Sequence, residues 1–180
     1  HNLMEVYRYG NVADPRVYVD SFVDYTFNST NIRIAFARLG AMLARSGEKE
    51  KAVEVLDYGM EQIPVSQFRY TYQYLPYIRA YYEAGATEKG DALLESYAGN
   101  LEEYVDYFLS FPDNRQYLIE DQFADKLTAL AELHRIAEDY GRIEHAARIQ
   151  LLFDWLFGSD LPAADADSPE QGNEGVPVGA

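Results

Sequence analysis

Cysteine is absent from the 180 residues, and bases are scarce: 15 Lys and Arg stand against 30 Asp and Glu, a formal net charge of -15. The first absence excludes disulfides, zinc-thiolate sites, iron-sulfur clusters and thiol nucleophiles, and it fits an oxidising compartment without requiring one. The second argues against a nucleic-acid partner, because neutralising phosphates takes clustered Lys and Arg. No apolar run approaches the ~18 to 20 residues of a membrane span, and no signal-peptide pattern opens the chain. There is no phosphate-binding Gly loop, no HExxH metal signature, no nucleophile elbow and no Ser/His/Asp arrangement. What remains is 48% hydrophobic and 25% charged, ordinary for a globular chain, with an excess of 16 Tyr and 9 Phe beside a single Trp. Its length suits one domain or a short array of repeats with a genuine apolar core.

Charge is unevenly spread. Residues 1–82 carry nine acids and nine bases, whereas 83–125 carry eleven acids against only Lys89 and Arg115. A solvated helical face is the reading preferred for this acidic middle, with attraction of a basic partner as the alternative. From 158 onward there are five acids and no base, and almost nothing to bury. The expected division is an irregular lead-in with a short capping helix over 1–29, a helical-repeat domain over 30–157, and a flexible acidic tail over 158–180.

Between Thr30 and Gly47, Ile32, Phe36, Leu39 and Leu43 recur at helical spacing, with Ser29 or Thr30 available as N-cap and Gly47 as stop. A second amphipathic helix begins at Glu48, carries Ala52, Val55, Leu56, Met60 and Ile63 on one face, and closes at Pro64. Two helices joined at one glycine fold back as an antiparallel hairpin. Counting back from Pro64 as position 32 of a 34-residue unit puts Phe36, Leu39, Gly40, Leu43, Gly47, Ala52, Leu56 and Gly59 on the large and small positions of the tetratricopeptide (TPR) pattern. Small residues at Gly40, Ala52 and Gly59 let helix axes approach closely. A second hairpin turns at Gly85, its first helix carrying Tyr70, Tyr74, Tyr77 and Tyr81 on one face, with Pro76 kinking that helix or delaying its start. Its second helix runs to Phe111 before Pro112. A third reads from about Asn114 to Tyr140, turns at Gly141, and returns over Ile143 to Phe157. The expected fold is therefore all-α, about three TPR-like hairpins in a short α-solenoid. A short helix from Ser21 to about Phe27 is expected to cap the first hairpin.

The repeat register assigns an inner face to Ile34, Ala37, Ala41 and Arg45 of the first unit and to Tyr72, Leu75, Arg79 and Tyr82 of the second. The candidate partner groove is thus Ala37, Ala41, Arg45, Tyr72, Leu75, Arg79 and Tyr82, with Arg45 or Arg79 free to hold a peptide carboxylate. Tyr72 and Tyr82 fall off the tyrosine stripe and are surface candidates that could instead stack a sugar. The Lys and Asn set of chaperone-tail-binding TPR domains is absent, Ala37 and Ala41 standing in its place. His134 and His145 lie either side of the Gly141 turn but lack further ligands for a metal, and Asp121 with Asp125 reads as a solvated face. Asn28-Ser29-Thr30 satisfies the N-glycosylation pattern, which helix capping explains equally. The segment Leu151 to Phe157, LLFDWLF, is greasy for a last helix: packing is the default, with a partner or membrane surface as alternatives.

One further pattern is specific. Tyr7-Arg8-Tyr9 with Asp14-Pro15-Arg16-Val17-Tyr18, then Arg33 and Phe36-Ala37-Arg38-Leu39, then Gly47-Glu48-Lys49-Glu50-Lys51-Ala52 with Val55-Leu56-Asp57, and finally Tyr81-Tyr82-Glu83-Ala84-Gly85 follow in this order. The chain resembles the C-terminal TPR-like soluble part of bacterial multi-spanning membrane proteins of the protein O-mannosyltransferase-like family, a domain of unknown function. The likeness covers roughly residues 5–110 well and 111–157 loosely. It implies a membrane-embedded glycosyltransferase-like body upstream, consistent with a chain that opens on His1, and an extracytoplasmic, periplasmic appendage. That appendage would be a non-catalytic protein-protein interaction domain, binding a protein or peptide partner such as an acceptor protein. No residue of this chain inherits a catalytic role, and no cofactor or metal is implied. The alternatives are a free-standing TPR adaptor, cytoplasmic or periplasmic, and a sugar- or small-ligand-binding helical protein. Gly90, Tyr97 and the acidic middle depart from what the resemblance leads one to expect.

Overall fold

A helix that ends on a glycine in the left-handed region can turn back on itself, and among the described residues helices do so at Gly47 (φ +87°), Gly85 (φ +79°) and Gly141 (φ +67°). At each turn the residue after the glycine donates its N–H to a carbonyl five residues back: Glu48 to Leu43 (2.9 Å), Ala86 to Tyr81 (2.9 Å) and Arg142 to Ala137 (2.7 Å). Those three residues share one backbone conformation, with φ/ψ of -86°/58°, -84°/59° and -86°/63°. The next helix starts on the following residue each time. The three turns are copies of one device.

The computed structural model describes residues 2–20, 29–68 and 70–158, and the regular structure among them is entirely helical. After one wide helical turn at Asn2–Val6 come α1 (Ser29–Arg45), α2 (Lys49–Gln62), α3 (Tyr74–Glu83), α4 (Thr87–Leu109), the single turn α5 (Asp113–Gln116), α6 (Glu120–Asp139) and α7 (Ile143–Phe157). Boundaries differ from expectation where local chemistry intervenes. α1 begins at Ser29, which puts Ser29 and Thr30 in its first turn. Pro76 occupies the third position of α3, where its missing N–H costs nothing, so the helix starts late and leaves Tyr70 outside it. The expected long helix from Asn114 is interrupted: the Ile119 N–H is tied back to the Gln116 carbonyl (3.0 Å), and Glu120 and Asp121 open a fresh helix N-terminus that favours acids. The proposed helix over Ser21 to Phe27, the sequon's Asn28 and the tail beyond Gly158 lie outside the described residues.

The first helix of each later hairpin packs on both helices of the hairpin before it: α3 on α1 and α2, α6 on α3 and α4. One core cluster runs through all three hairpins, from Phe36 and Leu56 through Tyr74, Tyr77, Leu94 and Leu101 to Leu133, Ile149 and Phe153. Glycines set two of the closest approaches. A Cβ on Gly40 would lie 2.7 Å from Leu56 Cγ, and one on Gly59 would lie 2.7 Å from Phe36 Cγ and against the Tyr77 hydroxyl. The lead-in lies on the first hairpin. Tyr9 donates to the Leu3 carbonyl (2.6 Å) and rests its ring on Phe36 and Tyr58, Leu3 and Met4 pack on the core, and the Gln67 amide donates to the Asp14 and Val17 carbonyls.

Candidate functional site

The seven residues of the expected groove are divided by the fold. Ala37 and Leu75 are buried, because α3 packs along α1 and takes both side chains into the core. Tyr82 is only 8% exposed, and the reason is a paired exchange between hairpins. In the first hairpin, Ala44, three residues before the turn glycine, packs in one small cluster with Ala52, five after it. The corresponding positions in the second hold Tyr82 and Gly90. A Cβ on Gly90 would sit 2.5 Å from Tyr82 Cε1, so the large ring fits only because its partner has no side chain. Gly90, which stands out from the TPR pattern, was the signal for this burial. The ring stacks on Tyr140 at 4.8 Å between centroids, and its hydroxyl donates to Asp91 (2.8 Å). Tyr82 is not a surface residue.

Both cations of the groove hold carboxylates of their own chain. Arg45 donates from Nε and Nη2 to the two oxygens of Glu83 (2.9 and 2.7 Å), locking α1 to the end of α3. Arg79 reaches from α3 to α6, donating to Glu132 (2.8 Å) and Asp139 (3.2 Å). Ala41 is half-buried, and Tyr72, at 53% exposed, is the open member of the set. These residues form a seam between hairpins rather than the floor of a groove. A sugar platform built from Tyr72 and Tyr82 loses one of its two rings for the same reason.

The seam has a pH signature. Burial raises the Glu132 carboxyl, but hydrogen bonds from Arg135 and Arg79 outweigh it and hold the group below its ordinary 4.5. A depressed carboxyl contributes stability that is complete above the unfolded value and lost as pH falls through the folded one. Thermal melts of Glu132→Gln and the parent chain are therefore expected to differ at pH 7, with the difference shrinking as acid protonates the folded carboxyl. Arg79→Ala should lose about 1–2 kcal/mol at neutral pH, since it strips charge-assisted hydrogen bonds from two half-covered carboxylates.

Other candidates resolve into structure. Tyr74, Tyr77 and Tyr81 are buried as the stripe predicts, and Tyr97, bulky where a small residue is usual, stacks on Tyr70 at 5.1 Å. Burial, with Asp57 close by, pushes the Tyr81 phenol well above its usual range, so its hydroxyl stays protonated and donates to Asp57 (3.0 Å). Arg33 was seen in the sequence only as part of a motif. It is buried, with its guanidinium 4.5 Å from the Tyr74 ring centre and 5.3 Å from that of Phe68. Its place three residues before Phe36, on the apolar face of α1, was the available clue. His134 lies 3.5 Å from Glu138 and His145 lies 3.8 Å from Asp91, so each histidine faces a carboxylate. Asp91 also approaches Arg142 (3.1 Å) and joins the second hairpin to the third. Asp121 and Asp125 are exposed. Among the described residues no group of three or more His, Asp or Glu is placed to hold a metal ion, and no helix is long and apolar enough to cross a membrane.

Large apolar side chains left exposed among the described residues include Met42 of α1, Tyr107 and Leu109 of α4, Tyr117 and Leu118 before α6, and three on the last helix. Ile143, Leu151 and Trp155 project outward from α7 at 77%, 68% and 64% exposed. No family model, curated protein or solved structure matches the chain.

Proposed function

We propose that the chain is a non-catalytic, TPR-like interaction domain, the extracytoplasmic C-terminal appendage of a polytopic membrane glycosyltransferase-like protein, which holds a protein or peptide partner near that membrane body. The observation that carries the repeat reading is the threefold recurrence of one turn, with matching φ/ψ after Gly47, Gly85 and Gly141 and each new hairpin nested on both helices of the last. Stacked hairpins of this kind make extended surfaces suited to binding other chains. The attachment to a membrane enzyme is supported by the resemblance that the ordered motifs from Tyr7 to Gly85 carry.

The test is an immunoblot of fractionated native cells with an antibody against this domain. A large band in the membrane fraction is the expected result. A soluble band near 20.5 kDa would reject the appendage and leave a free-standing adaptor.

A further inference from the structure

We propose that the C-terminal end of α4 docks a basic, arginine-rich segment of another protein on a ladder of aromatic rings flanked by acids. Such docking rests on the chain's being an interaction domain and is independent of any membrane attachment. Tyr104, Tyr107 and Phe111 form the ladder, with successive ring centres 6.0 and 5.0 Å apart, and Tyr107 is 52% exposed. Phe108 turns inward and stacks on Phe123 of α6 at 3.7 Å, which fixes the helix beneath the ladder. Glu103 lies one turn before Tyr107 on the same face, Asp106 lies beside it, and both are exposed.

Charge selects the occupant. Four carboxylates earlier in the acidic stretch face the chain's own arginines: Glu83 holds Arg45, Asp91 faces Arg142, and Glu95 and Glu102 hold Arg148. From Glu103 to Asp125 no described carboxylate enters an ion pair, and residues 103–126 contain six acids against two bases. The ladder therefore lies in a negative field. Other exposed apolar side chains have different surroundings. Met42 of α1 lies one turn from both Arg38 and Arg45, Tyr7 is followed by Arg8, and Leu151 of α7 has Arg148 on one side and Asp154 on the other.

The fold already uses the ladder for a cation. Lys126 of α6 places Nζ 5.5 Å from the centre of the Tyr104 ring. Tyr107 offers the next ring, and arginine suits it better than lysine, because a guanidinium stacks flat on a ring while its fork reaches a carboxylate such as Glu103. The ring spacing is close to the ~6.6 Å between alternate side chains of an extended chain, which favours a polypeptide over a small polyamine. A second copy, itself at -15, is repelled from such a field, as are nucleic-acid phosphates and an anionic bilayer.

The test is fluorescence anisotropy of labelled oligo-arginine and oligo-lysine peptides of equal length, titrated with the 180-residue chain. The arginine peptide is expected to bind about threefold or more tightly than the lysine peptide. Tyr107→Ala and, independently, Glu103→Gln with Asp106→Asn should each weaken the arginine peptide about threefold to tenfold. Far-UV circular dichroism should stay unchanged, since all three side chains are exposed. Glu50→Gln with Glu54→Gln removes the same charge from the exposed side of α2 and should leave binding within about twofold of the parent. A chain that binds neither peptide overturns the proposal. So does binding that is equal for the two peptides, that survives Tyr107→Ala, or that falls as far with the α2 pair. Spermine held as tightly as the arginine peptide, and lost with Tyr107→Ala, would assign the ladder to small polyamines instead. The blot of fractionated cells is read separately, so failure at this surface leaves the appendage standing or falling by itself.

Discussion

Gly59→Ala should destabilise the fold by about 2 kcal/mol although it replaces a poor helix former with the best one. Alanine is favoured over glycine within a helix by about 1 kcal/mol, so the expected loss requires a steric penalty of about 3. The geometry supplies it. The new methyl would stand 2.7 and 2.9 Å from Phe36 Cγ and Cδ2, at the root of a ring that cannot swing away, and would also meet the Tyr77 hydroxyl. Phe36 and Tyr77 are both fully buried. Gly99→Ala provides the contrast, because a Cβ there meets nothing within 4 Å in the middle of α4, and it should stabilise by about 0.5–1 kcal/mol. Urea unfolding reads both: the midpoints move in opposite directions with the slope unchanged. Adding Tyr77→Phe to Gly59→Ala should recover part of the loss by removing the nearest oxygen. Equal midpoints for the two alanine variants would disprove the close packing of α2 against Phe36 and Tyr77.

The greasy last helix gives the second large effect, and it is sharply positional. Phe153 is buried and stacks toward Phe157 at 6.4 Å, whereas Trp155, two residues on, points outward. Phe153→Ala should cost about 3–5 kcal/mol, the usual penalty for hollowing a core of an aromatic ring. Trp155→Ala should stay within about 0.5 kcal/mol of the parent. Thermal denaturation of the two variants decides between them. A Trp155→Ala chain as damaged as Phe153→Ala would place the tryptophan in the core.

Helix content and the three hairpin turns were legible in the residues because both depend on near neighbours. Apolar spacing of three and four fixes a helix face, and a glycine after the last periodic residue stops it. Pairing between hairpins was not legible, since Arg79 finds Glu132 and Asp139 across separations of 53 and 60 residues. Read alone, Arg79 and Arg45 look like ligands for a partner's carboxylate; their actual partners depend on where α6 and the end of α3 come to rest. Tyr82 illustrates a different failure. Its residue type and off-stripe position point outward, and only the joint change of Ala44 to Tyr82 and Ala52 to Gly90 between equivalent positions reveals the socket. The break before α6 was missed because it depends on backbone ties around Gln116 and Ile119 rather than on apolar period.

The lead-in carries a consequence for the order of events as the chain is made. Tyr9 rests on rings from α1 and α2, and Gln67 holds the Asp14 carbonyl from 53 residues downstream. During vectorial synthesis the first hairpin closes from contacts within its own sequence, while the residues ahead of it have no complete surface to dock on until Gln67 has emerged. The segment around Tyr9 and Asp14 thus docks only after residues made well after it, and a nascent chain halted before Gln67 would leave that segment open to proteases.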